Sequence, residues 1–371
     1  MLGGLAVPAT LCARKREEMG RQFGSQSENI MKILVTGGAG YIGSHAIRVL
    51  AQRRHDITVC DNLSTGHKHF VEGFKLIEGD IGDVRQLHRA LEGVELVMHF
   101  AGSAYVGESV SNPRKYFQNN AQNAVTLLNT AMDAGVQQFV FSSSCAVYGV
   151  PSRVPIAEDA PCSPVNPYGD SKLFFERVLE AYGRAYGLRS VSLRYFNAGG
   201  ADGTGEIGEF HNPETHLIPL ALEAAAGLRP GLDIFGNDYA TPDGTCIRDY
   251  IHVNDLAQGH ADAVNHLQKG GEPSVFNLGT GTGYSVKQVV TAVEQVTGCA
   301  VKQRLMPRRP GDPAVLVADP TRAHRVLGWR TVRRLEDAIA SAWKWMHSGT
   351  YRDLKAASMK STVNEAAMNS L

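Results

Sequence analysis

The sequence lacks the marks of several protein classes. No apolar run approaches the roughly 20 residues that cross a bilayer core, so no membrane partner is expected. Neither sign of charge prevails, because 37 Lys and Arg face 37 Asp and Glu. A balanced chain carries no global field to recruit nucleic acid or an anionic surface. Cysteine is sparse and scattered (Cys12, Cys60, Cys145, Cys162, Cys246, Cys299), with no C-x-x-C pair. That spacing offers neither a cysteine-built zinc site nor a disulfide framework, and it suits the reducing cytoplasm; no metal is expected. Internal repeats are absent. The mildly apolar stretch Leu5–Cys12 has no basic segment before it, and Arg14, Lys15 and Arg16 after it. A secretory signal has the opposite order. Residues 1–30 are therefore expected to form a poorly ordered extension, with Met31 a candidate natural start.

What is present is an ordinary globular composition, 43% hydrophobic and 20% charged over 371 residues. That length suits one large domain with a smaller one attached. From Met31 onward strands and helices alternate. Short apolar runs at 32–36, 57–60, 74–78, 95–100, 138–141 and 190–195 predict strands. Helical patterns cover 44–53, 113–134 and 171–186. This repetition predicts an α/β fold, a Rossmann-like doubly wound parallel sheet over 31–197. The Gly-rich stretch 198–216 predicts a loop. Beyond it a helix (218–227) and short strands (233–235, 275–278) predict a smaller α/β domain over 198–345. The polar tail 346–371 is expected to fray.

The turn after the first strand carries Gly37, Gly38, Gly40 and Gly43 and opens a helix. Such a turn lets a pyrophosphate approach backbone N–H groups at a helix N-terminus. Asp61 ends the second strand, 18 residues past Gly43. A carboxylate there accepts from ribose hydroxyls and repels a 2′-phosphate, which selects NAD over NADP. Asp80, Phe100, Ala101 and Gly102 also fall at strand carboxyl ends, where open α/β sheets bind ligands.

Tyr168 and Lys172 stand four residues apart at a helix start, so they share a face. An ammonium beside a phenol is expected to lower the phenol pKa and make it a usable base. Ser144, ending the fifth strand, is positioned to bond the same substrate hydroxyl.

The motifs GGAGYIGSH, DNLSTG, EGDI, HFAGSAYVGES, FSSSCAVYG, NPYGDSK, LRYFN, GTCIRDYIHV and RRPGD together resemble the UDP-glucose 4-epimerase family of the extended short-chain dehydrogenase/reductase superfamily. The resemblance runs from about Met31 to Trp329. It implies that Gly37, Gly40, Tyr41, Ile42 and Gly43 hold the pyrophosphate of NAD. Asp61 and Asn62 then meet the adenosine ribose, and Asp80 and Ile81 the adenine. Asn119 and Ser144 line the nicotinamide, Tyr168 is the base, and Lys172 binds the nicotinamide ribose. Phe196 and Asn197 meet cofactor and sugar. His216 and Leu217 occupy the uridine-phosphate loop, and Ile234 and Phe235 border uracil. Arg248 and Arg309 clamp the diphosphate, a task suited to a planar, permanently charged guanidinium, and Asp312 holds the uridine ribose. A homodimer through the two long helices is implied as well.

Two positions depart from the family pattern. Ala104 stands where many members carry Lys, and Asp170, expected to face solvent, stands where they carry another Lys. A sugar 4,6-dehydratase would need an acid–base pair just after Ser144, where Cys145 and Ala146 stand instead. The expected reaction is the interconversion of UDP-galactose and UDP-glucose through a 4-keto sugar. UDP-N-acetylhexosamine remains an alternative because Leu316 leaves room at a pocket-wall position where some members have Tyr, and UDP-pentose (UDP-xylose/arabinose) because the HFAGSAYVGES segment and the GTCIRDYI run also resemble pentose epimerases. An inactive NAD-sensing scaffold is the alternative of a different class.

Overall fold

The computed structural model describes residues 30–309 and 312–368. The expectations for residues 1–29 lie outside these, as do Pro310 and Gly311 of the RRPGD motif. Lys32–Thr36 (β1) is apolar between its first and last residues, and its last four residues are buried. Such a run suits a central parallel strand covered on both faces. β1 pairs with Asp56–Asp61 (β2) on one side and with Leu96–His99 (β4) on the other, Ile33 lying opposite Ile57 and Leu96. With Lys75–Glu78 (β3), Gln138–Ser142 (β5), Arg189–Tyr195 (β6) and Ser274–Leu278 (β10), the sheet has seven strands in the order β10-β6-β5-β4-β1-β2-β3. Every pairing in it is parallel.

Helices cover both faces. Ala46, Ile47 and Leu50 of Tyr41–Gln52 pack with Leu256, Ala257, Ala261 and Val264 of Val253–Gln268 on one side. Leu87, Leu127, Leu128, Phe175 and Leu179 fill the other. The doubly wound expectation is met, and the order reverses direction between β1 and β4. Ligands bind at such a switch point, beyond the strand carboxyl ends.

Several boundaries differ from the sequence expectation. Ser274–Leu278 was expected in the smaller domain, yet β10 closes the main sheet beside β6; a four- or five-residue apolar run does not reveal its partner. The continuous helix expected over 113–134 is interrupted. Pro113–Tyr116 and Ala124–Asp133 are α-helical, and Phe117–Asn123 between them is a π-helical turn. Asparagines are weak helix formers, and three of those in the turn send their amides outward to other segments. The helix expected from Ser171 begins at Pro167, with the Asn166 side chain accepting from Gly169 N at 2.9 Å. An Asn cap followed by Pro is a start signal that apolar periodicity does not register. The tail expected to fray is instead helical over Gly349–Met368, and its Lys355 bonds Glu223 at 2.7 Å.

Two smaller sheets accompany the main sheet among the described residues. Asn197–Gly199 (β7), the start of the expected loop, pairs with Ile247–His252 (β9). β9 also pairs with Gly283–Ser285 (β11) and Val315–Leu316 (β13), while Leu232–Phe235 (β8) pairs with Gln303–Met306 (β12). No helix among the described residues is long and apolar enough to cross a membrane.

Candidate active site

The turn after β1 has no room for side chains. Gly37 has φ +73, and a Cβ on it would sit 2.4 Å from the Ala101 nitrogen after β4. A Cβ on Gly43 would sit 2.3 Å from the Gly37 carbonyl oxygen. Both glycines are therefore required by close backbone approach. Gly40 caps the helix Tyr41–Gln52 without a side-chain hydrogen bond, and its first turn contains no acidic residue. Unpaired N–H groups at a helix start form an anion site. That uncapped end fits the pyrophosphate of a dinucleotide. Tyr41 points its hydroxyl away to the Gly200 carbonyl at 2.6 Å, and Ile42 packs against the core.

Asp61 stands at the end of β2, where the sequence pattern puts it. Its carboxylate accepts from Ala39 N at 2.9 Å and from Leu63 N at 2.8 Å, so it also braces the glycine turn. Burial raises its pKa, and those two backbone bonds oppose the shift. Asn62 donates to Asp80 at 2.9 Å, and Asp80 in turn accepts from Gly82 N and Asn123. Asp61, Asn62 and Asp80 thus form one connected edge, with Ile81 buried beneath it. Phe100, Ala101 and Gly102 follow β4; a Cβ on Gly102 would meet Asn120 at 3.2 Å and the Lys172 ammonium at 3.7 Å.

Tyr168 and Lys172 lie in the first turns of the helix Pro167–Tyr186, both buried. Lys172 Nζ donates to the Ser142 carbonyl at the end of β5 at 2.9 Å and lies 5.8 Å from the centre of the Tyr168 ring. Burial pulls the Lys172 pKa from 10.5 to about 8, partly offset by Glu176. The Tyr168 phenol departs from expectation. Burial pushes its pKa well above 10, with Tyr195 adding to the rise and the Ser144 hydroxyl opposing it. The lysine alone does not lower it, because desolvating a phenolate costs more than one ammonium at that range returns. Ser144 caps the following turn through Ala146 N at 3.2 Å. Asn119 donates to Ser103 Oγ at 3.1 Å from the π-helical turn.

The substrate side is assembled from side chains on separate segments. Phe196 is buried after β6, and its N–H meets the Leu278 carbonyl at 3.2 Å. Asn197 begins β7 and His216 precedes the helix that Leu217 opens. Ile234 and Phe235 end β8, and the Arg309 guanidinium stacks 3.8 Å over the Phe235 ring. Arg248 lies on β9 with Asp312 at 2.9 Å and Leu316 beside it in register. One Asp312 oxygen therefore accepts from Arg248. Asp170 is exposed, as expected.

Other residues of this region did not stand out in the sequence. Asn120 accepts from Ser103 N at 2.7 Å and donates to Ser171 Oγ at 3.2 Å, fastening the β4 loop beside Lys172. Glu176 and Arg194 form a buried pair at 2.6 Å, and Glu176 also accepts from Ser143 next to Ser144. Removing one partner of such a pair costs about 3–5 kcal/mol. Asp249 accepts from Thr280 N, Thr280 Oγ1, Gly281 N and Ala318 N, and so ties three segments together. Only the position of Asn120 carried a signal, inside a polar interruption of an otherwise amphipathic helix.

Comparison with known proteins agrees with this geometry. The model of the NAD dependent epimerase/dehydratase family matches residues 33–279. A UDP-glucose 4-epimerase of Rhizobium meliloti (strain 1021) is 50% identical over 315 residues, covering 84% of this chain and 96% of the relative. The crystal structure of UDP-glucose 4-epimerase from Brucella ovis in complex with NAD has a TM-score of 0.82 at 50% identity, covering 84% of this chain and 97% of that one. That of the Stenotrophomonas maltophila enzyme, with NAD and formylated UDP-arabinopyranose, has a TM-score of 0.84 at 40% identity, covering 88% and 99%. With its glycine turn, strand-end carboxylates and Tyr168–Lys172 helix in the fold such proteins share, this chain belongs to the NAD-dependent UDP-glucose 4-epimerase family.

Proposed function

We propose that the chain interconverts UDP-galactose and UDP-glucose by inverting the fourth carbon of the sugar. The observation that carries this reading is the buried Tyr168–Lys172 pair next to Ser144, at the strand edge that holds the glycine turn. NAD, which the glycine turn and the Asp61–Asn62–Asp80 edge would hold, would supply the oxidation and later re-reduction of that carbon. Tyr168 takes the 4-hydroxyl proton at its phenol oxygen and returns it afterwards, with Ser144 orienting the hydroxyl. The positive charges of Lys172 and of the oxidised nicotinamide act against the burial that holds the free phenol up. Lys172, fixed by the Ser142 carbonyl, binds the nicotinamide ribose.

Arg248 and Arg309 grip the diphosphate and Asp312 the uridine ribose, while Phe235, Ile234, His216 and Leu217 surround the nucleotide. Held only by that anchor, the 4-keto sugar is free to turn its other face. On this reading residues 31–197, whose sheet β10 completes, are the NAD-binding part, and the rest of 198–345 is the UDP-sugar part. The exposed Phe117 (45%) and Phe174 (46%), on the two helices nominated for pairing, support a homodimer. The five cysteines among the described residues are free thiols, which supports a cytoplasmic setting. Leu316, buried beside Arg248 and packed in one cluster with Phe196, favours a second substrate, a UDP-N-acetylhexosamine. An idle NAD scaffold would gain nothing from an ammonium buried at such cost.

Tyr168→Phe tests the reading. Turnover of UDP-galactose should fall by about 10³-fold, with NAD still bound at the wild-type level. An unchanged rate would remove Tyr168 from the chemistry.

A further inference from the structure

Ahead of the helix Leu217–Ala225 the chain reads Glu209, His211, Glu214, His216, four ligand-type residues within eight positions. The structure gathers them. One ligand atom from each lies within 4.8 Å of all the others. Glu209 Oε1 is 3.4 Å from His211 Nδ1 and 2.6 Å from His216 Nδ1. Glu214 reaches the same two nitrogens at 3.5 and 3.4 Å. Its Oε1, which faces His216, also accepts from Thr215 N and His216 N at 2.7 and 2.8 Å, which fixes the carboxylate and turns Oε2 to His211.

A network of histidinium–carboxylate hydrogen bonds would also bring these groups together, but its geometry would be different. Both Nδ1 atoms are sealed from solvent and neither has a hydrogen-bond partner, despite oxygens at 2.6–3.5 Å. Their lone pairs do not point at the oxygens. Donor atoms that crowd without aiming at one another are arranged for a common centre. A zinc ion with tetrahedral ligands at about 2.0–2.1 Å sets those ligands roughly 3.4 Å apart; the Glu209–His211 contact and the contacts of the two Glu214 oxygens lie near that spacing, and the 2.6 Å Glu209–His216 contact would open to reach it.

Charge points the same way. Glu209 is 5% exposed, and a buried carboxylate needs a cation. A divalent ion held by two neutral imidazoles would balance the two carboxylates.

We propose that Glu209, His211, Glu214 and His216 bind one divalent transition-metal ion of the zinc class, in a closed site that fastens the 209–216 loop. This revises the expectation of no metal, which followed from the cysteines alone. The site adjoins the cofactor edge, because the His211 ring packs edge-on against Tyr41 at 6.3 Å and against Tyr105 at 5.9 Å. Between the ligands the Phe210 carbonyl meets His67 Nε2 at 3.2 Å, and the Glu209 carbonyl accepts from Trp345 Nε1 at 2.8 Å. The metal would hold the loop that leads into the helix opened by Leu217. It takes no part in the proton chemistry at Tyr168.

Cobalt(II) alone is the probe. The full chain, stripped with a chelator and dialysed, should bind one cobalt per chain and give the intense visible bands of a tetrahedral complex, which added zinc abolishes. His211→Ala and the size-preserving Glu214→Gln should each weaken binding by about 100-fold or more, with NAD still bound as the check that the variants fold. Only weak, octahedral-type bands in the wild-type chain would overturn the proposal. So would equal cobalt affinity in the wild type and in whichever variant folds. Because the readout is metal binding, the result is independent of whether Tyr168 catalyses epimerisation.

Discussion

The two edges of the cleft are built by different means. On the cofactor edge, backbone meets backbone: Gly37 lies against Ala101 N, Gly43 against the Gly37 carbonyl, and a bare helix end faces the ligand. Even the lysine there is held by a carbonyl, that of Ser142. On the substrate edge, side chains from distant segments hold one another. Arg248 pairs with Asp312 across 64 positions, Arg309 stacks on Phe235, and Asp249 gathers Thr280, Gly281 and Ala318. A dinucleotide that stays bound suits an edge with no freedom. A sugar that must turn over suits an edge made of long side chains, which can adjust without moving the sheet. The difference predicts that substitutions on the cofactor edge act all-or-none and those on the substrate edge by degrees.

The sharpest break of this contrast is Gly43→Ala. One methyl group, 2.3 Å from a carbonyl oxygen that belongs to the turn itself, cannot be accommodated by a rotamer change. Overpacking of this kind costs about 1–3 kcal/mol, and here the strain falls on the phosphate turn. NAD released by acid from purified protein should drop from about one per chain to a small fraction. Affinity for UDP, measured by calorimetry, should stay within a few-fold. Full NAD content in the variant would show that the turn is looser than described.

The same contrast explains what the sequence revealed. A backbone-built edge needs particular residues at fixed local spacing, so Gly37, Gly40, Gly43 and Asp61 were legible from one stretch of chain, as was the Tyr168–Lys172 step on one helix. Arg248, Arg309 and Asp312 came from resemblance; nothing local to Arg248 announces Asp312. β10 was misassigned for the same reason, since its partner β6 lies some 80 positions earlier. The π-helical turn was hidden because its cause is tertiary, in the bonds of Asn119, Asn120 and Asn123 to Ser103, Ser171 and Asp80. The Tyr168 pKa was read with the wrong sign because spacing reveals a neighbouring charge but not the depth of burial.

A second test concerns the lysine on the rigid edge. Its pKa is about 8 in the folded chain and 10.5 in the open. Between those values the unfolded chain binds the extra proton, so folded stability should rise with pH across that window. The burial penalty is fully present below pH 8 and gone above 10.5. Lys172→Met removes this titration. In urea unfolding of the NAD-free chain, the wild type should gain on the variant by on the order of 3 kcal/mol across the window. A difference that does not change with pH would mean that water reaches the ammonium and that this edge is less closed than its geometry implies.

The smallest expected effect, Leu316→Tyr, probes the graded edge. Leu316 is 8% exposed, lies in register with Arg248 and packs in one cluster with Phe196, so on the proposed reading a phenol there would crowd the sugar beside the clamp. Filling such space should discriminate between sugars that differ by one small group, where steric selection is worth about 10–200-fold. The kcat/KM for a UDP-N-acetylhexosamine should fall by about 10-fold or more, while that for UDP-galactose changes little and NAD content not at all. Loss of both activities in parallel would mean that the phenol had displaced Arg248 instead of trimming the pocket. The substrate edge would then be as unforgiving as the glycine turn, and the contrast between the two edges would fail.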